Sequence, residues 1–91
     1  MPKKKTKVRK RVYIRAGHIQ RGMAANSGSC PVALALRDAG FRGALVDSVT
    51  VCWGRGLKKE AAIPTRIGDF ITAVDAGRPV KPTSFTVEYD E

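Results

Sequence analysis

No apolar run in this 91-residue chain approaches the roughly 18 residues that a membrane span requires, and no apolar stretch follows the amino-terminal lysines to make a secretory signal. Cysteine is scarce. Cys30 and Cys52 are too few for a disulfide scaffold, and with no sign of secretion they read as reduced thiols. Histidine is scarcer still: His18 stands alone, so the close paired spacing of a zinc site is missing and neither a metal nor another cofactor is expected. Neither a G-x-G-x-x-G nor a G-x-x-x-x-G-K-[ST] pattern occurs, which removes the usual phosphate-cradling loops. The last absence is the most informative: the first fifteen residues contain no acid at all.

Those fifteen residues hold Lys3, Lys4, Lys5, Lys7, Arg9, Lys10, Arg11 and Arg15, a local charge of +8. Residues 16–91 hold nine basic against eight acidic side chains, a balance of +1, so the chain's net +9 is a local device on a nearly neutral body. Like charges at this density repel one another and gain little from folding, which favours an anionic partner. Residues 1–7 have no apolar period and read as a flexible basic arm, leaving 8–91 as a single domain with one modest core.

From Val8 the pattern alternates. Val8, Val12 and Ile14 share one face, interrupted by Lys10, while Arg9, Arg11, Tyr13 and Arg15 share the other, as in a half-buried strand. Residues 16–29 are rich in glycine and small polar residues and predict a long loop with one helical turn near residues 19–23. A helix follows, with Ser29 or Cys30 at its cap, Pro31 at its first position, Val32, Ala35, Leu36 and Ala39 on one stripe, and Gly40 at its end. Residues 45–53 predict one continuous strand with Val49, Val51 and Trp53 on the same face, and Gly54-Arg55-Gly56 a hairpin loop leading to an exposed edge strand over 57–63. Thr65 is placed to cap a second helix carrying Ile67, Phe70, Ile71 and Val74, which Gly77 stops, and Phe85, Val87 and Tyr89 alternate as a last strand. The order strand, helix, strand, strand, helix, strand predicts an α+β fold, with a ferredoxin-like two-layer sandwich as the simplest arrangement.

Lysines on an arm followed by arginines and Tyr13 on one strand face combine phosphate neutralisation with a ring for stacking, the mixture expected of a nucleic-acid surface. A solubilising tail is the plain alternative, and residues 2–8 also look like a polybasic nuclear-localisation run. Arg55, Lys58 and Lys59 form a possible secondary basic patch, or simply a solvated turn. Ser27-Gly28-Ser29-Cys30 opening a helix hints at a thiol nucleophile, but His18 lies twelve residues upstream and no Asn or Asp is identifiable in the sequence to orient it. A packed structural cysteine is the expectation, with no catalytic residue.

At His18-Ile19, at Cys30-Pro31-Val32-Ala33-Leu34-Ala35-Leu36 and along residues 70–82, the chain resembles small bacteriophage and prophage proteins of unassigned activity. These have an HI-x-x-G opening, a CP-[VI]-ALAL helix and a second helix ending near FD-x-G-x-x-V-x-P. The likeness covers about residues 18–88; it departs at Val74, where those proteins tend to have phenylalanine, and at the basic arm. The resemblance implies a phage origin, the cytoplasm of a bacterial host, and Cys30-Pro31 as a structural helix start. A nucleic-acid or nucleoprotein-binding accessory protein is the leading expectation. An inhibitor of a host protein is the main alternative, and a virion component contacting packaged DNA is a third.

Overall fold

The period-two pattern that begins at Val8 is realised one residue earlier, as strand β1, Lys7–Ile14, so Lys7 belongs to the domain rather than to the arm. The computed structural model describes residues 7–23, 28–47 and 49–90; positions 1–6 of the expected arm lie outside the described residues. After β1 come α1 (Ala16–Arg21), α2 (Pro31–Asp38), β2 (Leu45–Val46), β3 (Thr50–Trp53), a 3-10 turn (Arg55–Leu57), β4 (Lys59–Ala62), α3 (Thr65–Asp75) and β5 (Thr83–Asp90). The fold is α+β, a two-layer arrangement of helices and antiparallel sheets, as the element order predicts. Its sheet differs from a ferredoxin-like sandwich: among the described residues β1 pairs only with β5, and β2, β3 and β4 form a second sheet in that order. Among the described residues no helix is long and apolar enough to cross a membrane.

The second sheet exists because residues 45–53 do not run as one strand. Asp47 Oδ1 accepts from the amides of Val49 (2.8 Å) and Thr50 (2.7 Å), taking donors that a continuous strand would give to a neighbour. The chain therefore doubles back, Leu45 faces Cys52 and Val46 faces Val51, and Val49 is left 64% exposed at the turn rather than in the core. β4 is an edge of this sheet, as expected of an alternating strand with Lys58 and Glu60 facing out; Lys58 lies just before the strand and Glu60 is on its outer face, opposite Cys52.

Both sheets and two of the helices bury one face in a common core: Val12, Ile14, Phe85 and Val87 from the first sheet, Val46, Val51, Trp53 and Ala61 from the second, Val32, Ala33, Ala35 and Leu36 from α2, and Ile67 and Ile71 from α3. Phe41, Trp53 and Tyr89 meet edge to face, with centroids 4.9 Å apart for Phe41–Trp53 and Trp53–Tyr89 and 5.7 Å for Phe41–Tyr89, and so join β3, β5 and the end of α2. α2 ends as its sequence predicts. Gly40 at φ +101 allows the Gly40 amide to reach the Arg37 carbonyl and the Phe41 amide to reach Leu36, turning Phe41 back onto the core. At the other helix the expectation fails in detail: Pro64, not Thr65, is the capping position of α3, and Thr65 is its first residue. Arg66 ties this end to β5 through Thr83 Oγ1 (3.2 Å) and the Ser84 carbonyl.

Candidate nucleic-acid interface

In the β1–β5 pair, residues directly opposite share a face. Lys7, Arg9, Arg11 and Tyr13 therefore point outward beside Asp90, Glu88, Thr86 and Ser84. β5 supplies acids that the first fifteen residues lack: Glu88 accepts from Lys7 Nζ (3.3 Å) and Arg9 Nε (3.2 Å). Arg11 donates to Ser84 Oγ (2.9 Å) and Thr86 Oγ1 (3.3 Å). Such exposed pairs add little stability, but they lower the charge this face offers to a polyanion.

The concentration of cations lies around the corner. The chain leaves β1 at Arg15, the capping residue of α1, whose amide donates to His18 Nδ1 (2.9 Å). That acceptor role puts the ring proton on Nε2, which donates to Asp38 Oδ2 at 2.6 Å. Asp38 is the last residue of α2, where a carboxylate meets the negative end of the helix. It is held there by its bond to His18, which, with lesser help from the charges of Arg21 and Arg15, pulls its carboxyl below the usual carboxylate range. A short helix that packing alone would hold weakly is thus fastened to α2. Gly22 completes the junction: a Cβ there would lie 2.5 Å from the Pro31 ring, so only glycine lets the chain pass.

Between β1, α1 and α2 this leaves a cleft of about 420 Å³, lined by Lys10, Arg11, Tyr13, Arg15, Arg21 and Asp38, with buried His18 in its wall. Four cations face one carboxylate. The Arg15 guanidinium lies 5.8 Å from the Tyr13 ring centroid, and Tyr13 remains 54% exposed; Lys10 Nζ lies over the Phe41 ring, 5.7 Å from its centroid, so its interruption of the apolar face ends on an aromatic ring.

Of the expected binding residues, the structure brings Lys10, Arg11, Tyr13 and Arg15 together and leaves Lys7 and Arg9 on the ribbon face; Lys3, Lys4 and Lys5 lie outside the described residues. Arg55 and Lys58 are exposed on the β3–β4 connection and Lys59 at the start of β4, and none of them lines the cleft. Sequence reasoning missed Arg21 and the partner of His18. An arginine three residues after His18 would have been a signal had the helical turn been placed at residues 16–21, whereas the 20-residue separation of His18 from Asp38 carried none.

No family model matches this chain. No curated protein and no solved structure matches it either, so it is the chemistry of the side chains that carries the functional reading. Cys30 caps α2 by accepting from the Ala33 amide through Sγ (3.5 Å), and burial pushes its thiol up, away from the thiolate a nucleophile needs. Both nitrogens of His18 are engaged, by Arg15 and Asp38. Among the described residues no cluster of three or more metal-ligating side chains is present.

Proposed function

We propose that this chain is a small phage-type accessory protein, acting in the cytoplasm of a bacterial host, that binds nucleic acid or a nucleoprotein through its basic amino-terminal segment and carries out no catalysis. The observation that supports this reading is the convergence of Lys10, Arg11 and Arg15 with Arg21 around one cleft beside an exposed tyrosine. Phosphate contacts would dominate affinity, with little base specificity. Titration of fluorescent oligonucleotides at several salt concentrations tests it. Four to six phosphate contacts give a slope of about −4 to −5 in log affinity against log salt for duplex and about −3 to −4 for single strands. Absence of binding at low salt overturns the proposal.

A protein target is the second reading, and one feature favours it. Leu45, Cys52 and Leu57 line an apolar groove of about 250 Å³ on the second sheet, and Leu57 is held at φ +54 while 41% exposed. A strained, exposed leucine is the kind of side chain that anchors a protein partner. A pull-down from infected cells separates the readings: a partner retained after nuclease treatment, and lost in Leu57→Asp, supports the host-protein inhibitor. The virion reading differs only in predicting the chain in purified particles.

A further inference from the structure

We infer that the cleft between β1, α1 and α2 is a site for a single-stranded nucleic acid, with a base on the open side of Tyr13 and the adjoining phosphates against Arg15, Arg21 and Lys10. The inference rests on the nucleic-acid reading above and assigns it to a strand type and to a place on the molecule.

Three observations carry it. The first is shape: a recess of about 420 Å³ is within the range that takes small ligands and has room for a nucleotide unit, whereas the phosphates of a duplex lie on a convex surface and cannot enter it. The second is the ring. A Tyr13 side chain that is 54% exposed, with a guanidinium 5.8 Å from its centroid, offers stacking together with cationic support, and only an unpaired base has a free face to place there. The third is the distribution of acids. A duplex laid along the β1–β5 ribbon would meet Glu88 and Asp90, and Glu88 already engages Lys7 and Arg9; in the cleft the lone acid is Asp38, and it is held by His18. Arg21 lies outside the basic segment, which makes it the residue that separates a built cleft from a merely charged tail.

The test compares fluorescein-labelled ten-nucleotide single strands, DNA and RNA, with the matching DNA duplex by anisotropy. Single strands should bind about tenfold or more tightly than duplex at moderate salt. Tyr13→Ala should weaken single-strand binding about 5- to 100-fold without changing the salt slope. Arg21→Gln should weaken it several-fold and reduce the slope magnitude by about 0.7. Asp38→Asn, which keeps an oxygen for His18 and removes the negative charge, should tighten it several-fold. Backbone amide shifts on the parent protein check the location without any variant: with the single strand bound they should cluster at residues 10–21 and 37–39. Parent-like binding by Tyr13→Ala and Arg21→Gln, or amide shifts confined to residues 7–9 and 84–90, overturns the cleft assignment. If deletion of residues 1–6 then weakens binding, the wider nucleic-acid reading survives; if no oligonucleotide binds at low salt, both fail.

Discussion

The two sheets bury similar faces in one core and present opposite outer faces to solvent. On the β1–β5 ribbon the outer side is Lys7, Arg9, Arg11 and Tyr13 beside Ser84, Thr86, Glu88 and Asp90; on the three-stranded sheet it is Leu45, Thr50, Cys52, Glu60 and Ala62. One is ionic and networked, the other small and largely uncharged. The contrast separates two roles that the composition blends together. Core packing is shared by the whole molecule, while the cationic chemistry gathers where the ribbon meets α1 and α2, a junction to which the ribbon's outer face gives Arg11 and Tyr13 and the other sheet gives no residue.

The comparison can be broken most severely at a core position of the ribbon. Val12 is fully buried, and Val12→Asp puts an unpaired carboxylate there at a cost of several kcal/mol against a total stability of about 5–15 kcal/mol. The expected result is a chain with no cooperative melting transition, whereas Arg11→Ala one residue away should stay within about 0.5–1 kcal/mol of the parent. A folded Val12→Asp protein would mean the strand's facing is wrong.

Next in size is the joint between the sheets. Trp53→Ala removes the ring that touches both Phe41 and Tyr89 and should cost about 3–5 kcal/mol in chemical denaturation. A loss below about 1 kcal/mol would show that the sheets hold together without it.

Smaller is the effect at Cys30. Serine keeps a capping atom for the Ala33 amide and gives up a buried sulfur, so Cys30→Ser should change stability by about 1 kcal/mol and leave binding intact. In the parent protein at neutral pH, half-exposed Cys52 should be alkylated before buried Cys30, which mass mapping reads directly. Faster labelling of Cys30 would revive a reactive thiol.

The smallest effect is the most local. Because the Asp38 carboxyl is depressed in the folded state, its contribution to stability is complete above the unfolded value, about 3.9, and is lost as pH falls through the lower folded value. The melting-temperature difference between parent and Asp38→Asn should shrink as pH falls below about 4. A difference that stays undiminished well below pH 4 would mean His18 does not hold that carboxylate.

Alternation was sufficient to place β1 and β5, because a strand with one buried face must repeat every two residues, and Val12, Ile14, Phe85 and Val87 are indeed the buried set. Pro31 and Gly40 marked α2 for an equally local reason: a missing amide suits a helix start, and a positive φ ends it. The hairpin at Asp47 escaped notice because its decisive event is a side-chain oxygen taking two amides, which leaves no mark on a hydrophobic pattern that reads as one strand.

The sequence by itself determined that eight cations would crowd the first fifteen residues and that Val12, Ile14, Phe85 and Val87 would share a buried face, since charge and periodicity are local quantities. Which of those cations stand together was decided only by the tertiary structure. β5 returns from the far end of the chain with Glu88 to engage Lys7 and Arg9, and α2 brings Asp38 to His18, so that α1 is docked and Arg21 completes the cleft. Contacts between residues 20 to 81 positions apart depend on how the elements pack, and packing is a property of the whole core rather than of any stretch of sequence.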